Sequence, residues 1–162
     1  MDVKYQHLLG QKYDLGKTDC YSLIKQFYFD NFGLEMRDYA RPDWWWKEDL
    51  NLYYENFRRE GFKSIDIPIH EIEIGDGLLM SFSSTFPNHA GVYVGENKVL
   101  HHFYNNLSGT DPLRTGIRNS VTAILRNDIV YNQVIEFKKQ NTRVIDIQSL
   151  KLGKTGYVLP EE

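Results

Sequence analysis

The tract HAGVYVGENKVLHH, residues 89–102, constrains this chain more than any other stretch. Apolar side chains alternate on both sides of Gly95, Glu96 and Asn97, which is the period of paired strands and not of a helix. A three-residue loop at 95–97, with Asn97 in the left-handed conformation that asparagine tolerates, pairs Val94 with Lys98 and therefore Gly91 with His101. His89 then becomes the diagonal neighbour of His101 on one face of the hairpin. Gly91, without a side chain, leaves room between them for the end of a helix. A two-residue loop would send the two imidazoles to opposite faces. His102 is expected on the other face, in a structural role.

The rest of the chain divides by period. Thr18 or Asp19 can cap a helix that starts at Cys20, carries Leu23, Ile24, Phe27 and Tyr28 on one side and stops at Gly33. A second helix is predicted over 44–59, with Trp46, Leu50, Tyr53, Tyr54 and Phe57 on one side and Gly61 as its end. Gly75, Asp76 and Gly77 mark a turn into a strand over 78–82. Beyond Arg126, segments 129–137 and 143–147 read as strands and 153–162 as an extended tail. Helices first and an antiparallel sheet afterwards predict an α+β fold. The length of 162 residues suits one domain with a real core. Its main unit is expected over 1–128, with 129–162 as an extension of C-terminal strands and tail.

Chemistry concentrates on few residues. The single cysteine, Cys20, excludes an intramolecular disulfide and a multi-cysteine zinc site. At the first turn of a helix the dipole favours a thiolate; the alternative is a small apolar side chain buried beside Leu23, Ile24 and Phe27. With His89 and His101 it can form a triad in which the thiolate attacks a carbonyl, the imidazolium of His89 protonates the leaving amine and His101 holds the ring. The Cys20 backbone N–H, at the helix start, is the natural oxyanion donor. Zinc held by the same three residues is an alternative, but the short ligand spacings of metal motifs are missing, so neither metal nor cofactor is expected.

Other signals point to packing or exclude partners. Of the consecutive tryptophans, Trp46 is expected in the core and at least one of Trp44 and Trp45 near a substrate groove or partner surface. His7 and His70 stand alone, and Arg114, Arg118 and Arg126 read as solvated charges. A net charge of −3 does not suit nucleic acid as a partner. No stretch approaches the ~20 apolar residues needed to span a membrane. The N-terminal MDVKYQHLLGQKYD lacks an apolar run of signal-peptide length, so synthesis in the cytoplasm without a leader is expected.

Three motifs taken in order, YDLGKTDC at 13–20, IGDGLLMSF at 74–82 and HAGVYVGENKVLHH at 89–102, resemble the NlpC/P60 papain-like cysteine peptidases that cut peptides of the bacterial cell wall. In that family an Asp-Cys pair opens the catalytic helix, and His-x-Gly-x-Tyr-x-Gly leads to a second histidine twelve residues on, the spacing of His89 and His101 here. The resemblance covers roughly residues 10 to 127. It implies Cys20, His89 and His101 as catalytic residues, Tyr13 as the tyrosine that frames the oxyanion site and Asp19 in support. The family's glycine-rich loop is shortened here to LGKTD, and its Cys-Ser-Gly is replaced by Cys20, Tyr21 and Ser22. DCYSL at 19–23 and HHFYNNLS at 101–108 are similar to one branch, the tail assembly proteins of long-tailed bacteriophages.

That branch implies a papain-like fold and hydrolysis of an amide bond in peptidoglycan stem peptides during infection. It further implies other tail-tip proteins as partners and a place in the virion tail that acts at the host cell wall or periplasm. A structural role in tail-tip assembly with little or latent peptidase activity is the alternative, and an amidase or acyltransferase using the same triad is another. Members of the branch often carry a second, metal-dependent isopeptidase-like domain, for which this chain is too short. The segment after residue 127 is expected to dock onto tail proteins through exposed strand edges.

Overall fold

A computed structural model describes residues 1–40, 42 and 51–152, with side chains described as far as residue 142. The predicted first helix is α1, Cys20–Phe32. Its start is fixed by Asp19, which is buried and accepts the Ser22 N–H at 2.9 Å through one carboxylate oxygen and the Gly16 N–H at 2.8 Å through the other. Gly33 closes the helix at φ 66°, a conformation glycine reaches without steric cost. Of the second predicted helix the structure describes α2, Leu52–Phe57, followed by a turn of 3-10 helix, Arg58–Glu60. Trp44, Trp45 and Trp46 lie outside the described residues.

Six antiparallel strands form one sheet in the order β1-β6-β2-β3-β4-β5. They are β1 Phe62–Ile65, β2 Gly77–Met80, β3 His89–Gly95, β4 Lys98–His101, β5 Gly109–Pro112 and β6 Val121–Asn127, with the short helix α3, Thr115–Ser120, before β6. The fold is therefore α+β, as the order of periodicities predicts. One sheet face packs on α1: Leu79, Ala90, Val92 and Leu100 share a core with Leu23, Ile24, Phe27 and Tyr28. The other face buries a smaller cluster around Leu78, Met80, Val99 and Ile124.

The hairpin keeps the predicted register by a different route. Gly91 faces His101, but the loop is two residues, Glu96 and Asn97 at φ 49° and 58°, and Gly95 pairs with Lys98. An irregularity between Tyr93 and Gly95 adds one residue to β3 and restores the parity that a two-residue turn would otherwise reverse. The space over Gly91 is not reserved for the helix end. A Cβ there would lie 2.6 Å from Val99 Cγ1 and 3.2 Å from the Leu100 carbonyl, so Gly91 lets the second cluster close on the face away from α1.

The strands expected over 129–137 and 143–147 are instead one helix, α4, Asp128–Leu152. Asn127 starts it, its side-chain oxygen accepting the Ile129 N–H at 2.9 Å. Among the described side chains of this segment Val130 and Val134 are the buried pair, and their spacing of four belongs to a helix. Both join the α1 core. Docking through strand edges of this segment falls with that reading. Arg126 is also not a solvated charge: its guanidinium donates to both oxygens of buried Asp76, at 2.8 and 2.6 Å, and lies 4.2 Å over the Tyr131 ring. Asp76 also accepts the Glu73 N–H at 2.8 Å and so ties the Gly-Asp turn before β2 to β6.

Candidate active site

Cys20, His89 and Tyr13 line one cleft, together with Phe82, Asn88, His102, Phe103 and Tyr104. Cys20 reaches it from the first turn of α1, and His89 from the first residue of β3. Because His89 opens its strand, its ring can turn past the end of the sheet and meet a side chain carried by the helix on the opposite face. Its orientation is set on several sides. Phe103 stacks on it at 4.6 Å between centroids with 15° between planes, Phe82 meets it edge-on at 5.7 Å, and Nε2 lies 3.1 Å from His101 Nδ1. With Nε2 engaged, Nδ1 is the nitrogen left to exchange a proton within the cleft.

His101 continues the chain of contacts, its Nε2 lying 3.0 Å from Asp111 Oδ2 on β5. Burial holds the His89 pKa well below the usual imidazole range, and the neighbouring His101 and His102 reinforce that shift. The His101 pKa is also lowered, by burial first and by His102, against the opposing pull of Asp111. Both rings are thus poised neutral, and in that state an imidazole accepts a proton.

The thiol side has its own partner. Cys20 Sγ lies 3.0 Å from Tyr53 Oη, and the Tyr53 ring stacks on Phe57 at 5.6 Å. Tyr13 meets His102 and Tyr104 edge-on at 5.3 and 5.2 Å. His102, expected in a purely structural role, borders the cleft. β4 ends at His101, and the fully buried His102 lines the cleft with Nε2 3.0 Å from the Asn106 carbonyl. Sequence reasoning also passed over Tyr53, which sits on an ordinary amphipathic face, and Asp111, whose Gly-Thr-Asp-Pro strand has weak strand character. Among the described residues no group of three or more His, Cys, Asp or Glu is arranged to hold a metal ion.

The NlpC/P60 family profile matches residues 10–127, from just ahead of the cleft's Tyr13 to the last residue of β6. The chain belongs to the NlpC/P60 family. Within it, the chain is 40% identical over 102 residues to the tail tip assembly protein K of Escherichia phage lambda, a match covering 63% of this chain and 50% of that protein. It is 34% identical over 110 residues to the tail tip assembly protein K of Escherichia phage N15, covering 65% and 43%. The matched part thus spans half or less of these longer relatives. Among solved structures, an NLP/P60 family protein similar to a lipoprotein from Staphylococcus aureus superposes with a TM-score of 0.51 at 17% identity, over 75% of this chain and 38% of that one. That likeness supports the NlpC/P60 fold. No helix among the described residues is long and apolar enough to cross a membrane.

Proposed function

We propose that this NlpC/P60 protein is a phage tail-associated cysteine hydrolase that cleaves an amide bond in peptidoglycan stem peptides during infection. The reading rests on one observation: Cys20 at a helix start and His89 line the same cleft, and His101 backs His89 at 3.1 Å. His89, neutral at rest, takes the thiol proton on Nδ1, and the Cys20 sulfur attacks the substrate carbonyl. The helix start favours the thiolate, and the Cys20 N–H, in a first turn whose amides have no acceptor within the helix, receives the oxyanion beside Tyr13. As the C–N bond breaks, Nδ1–H of His89 protonates the departing amine and leaves an acyl thioester on Cys20. Water, deprotonated by His89, then releases the acid and restores the thiol. Asp19 supports the nucleophile by fixing the helix start. Assembly among other tail-tip proteins would bring the site to the host cell wall.

Incubation of purified protein with murein, followed by mass spectrometry of the released peptides, tests this reading. Amide-cleaved products from the native chain and none from Cys20→Ala support it, and the products identify the bond. No turnover under any condition favours a structural tail-assembly role, the reading suggested by the relatives' names.

A further inference from the structure

The imidazole pair extends to a carboxylate. His101 stands in the middle of three strands, directly opposite Gly91 of β3 on one side and Gly109 of β5 on the other. On both flanks the ring bonds diagonally to the residue two places along. That residue is His89 on β3 and Asp111 on β5, at 3.1 and 3.0 Å. The same strand geometry therefore produces both contacts.

We propose that Asp111 is a positioning residue that selects the tautomer of both histidines, an inference that rests on the hydrolase reading above. An ionised carboxylate only accepts, so the His101 nitrogen facing Asp111, Nε2, carries the hydrogen. In a neutral ring Nδ1 is then an acceptor, and the His89 nitrogen facing it, Nε2, must donate. His89 Nδ1 is left with its lone pair in the cleft, the form that can receive the Cys20 proton. Without Asp111 the two rings can exchange roles: His101 Nδ1 carries the hydrogen, His89 Nε2 accepts it and Nδ1 of His89 becomes protonated. A ring in that state cannot act as base. Asp111 touches neither thiol nor substrate and acts entirely through His101.

Nitrogen-15 spectra of the histidine side chains in the full chain at pH 7.5 read the tautomers directly. The native protein is expected to show His89 and His101 both with hydrogen on Nε2. Asp111→Ala should shift both rings toward a mixture and lower kcat on murein by about ten-fold or more at unchanged KM. Asp111→Asn, whose side-chain carbonyl can still accept, should restore most of the native pattern. Hydrogen on Nδ1 of His89 in the native protein, or native tautomers in Asp111→Ala, overturns the proposal. The spectra need no substrate: native tautomers lost in Asp111→Ala alongside absent murein turnover would sink the hydrolase reading and leave the tautomer control standing.

Discussion

The two halves of the cleft are built differently. On the strand side, His89, His101 and Asp111 are spaced by the ladder of β3, β4 and β5, so backbone hydrogen bonds fix the distances between their side chains. On the helix side, Cys20 is placed by the cap of α1, and the tyrosine 3.0 Å from its sulfur comes from α2, six residues long. The imidazole pair is thus held by structure that persists throughout the sheet, whereas the hydroxyl beside the thiol depends on one short helix. The difference predicts that changes on the strand side affect both catalysis and fold, while loss of the Tyr53 hydroxyl acts on the thiol and leaves the strand side unchanged.

The largest effect should come from His89→Ala. Loss of acid–base action is expected to lower murein turnover by about 10² to 10⁴-fold, measured as initial rate with folding checked by circular dichroism. Gly91→Ala sets a side chain against Val99 and the Leu100 carbonyl and should cost about 1–3 kcal/mol in a denaturant titration. Gly109→Ala, on the other flank of His101, meets nothing within 4 Å and should stay within about 0.5 kcal/mol. Equal effects would show that the two flanks of His101 are not distinguished by packing.

Acid should weaken the strand side next. Buried His89 and His101 have folded-state pKa values lowered from the ordinary 6.5, so below that pH the unfolded chain binds more protons than the folded one. Their contribution to stability is complete above pH 6.5 and is lost as pH falls from there toward the folded-state values. Melting temperatures at pH 7.5 and 5.5 should therefore differ more for the native chain than for His89→Ala. A modest effect is expected from Tyr53→Phe, which removes the hydroxyl that meets the sulfur and should cost about 0.5–1.5 kcal/mol with the strand-side tautomers unchanged.

Sequence made the strand side legible where residue chemistry and strand parity agreed. The cap at Asp19, the stop at Gly33 and the pairing of Gly91 with His101 all follow from local rules. The hairpin shows their limit, because a turn of two residues and a bulge together give the same parity as a loop of three, and alternation records only parity. Asp111 was hidden because β5 lacks β-branched and aromatic residues apart from Thr110, and its strand is recognised only by pairing with β4. In α4, the segment 129–137 admitted both periods, and the decision lay with Val130 and Val134 meeting the α1 core. His102 lines the cleft because Cys20 enters it from the α1 side, the side on which Leu100, two residues earlier, also packs.

The central claim, that Cys20 and His89 act on one another, is tested most directly by the rate at which iodoacetamide alkylates Cys20 at pH 7. A base within reach of the thiol predicts that the native protein reacts at least about ten-fold faster than His89→Ala of equal folded content. Equal rates would mean that the imidazole does not take the sulfur's proton, and the account of this cleft as a hydrolase site would be contradicted.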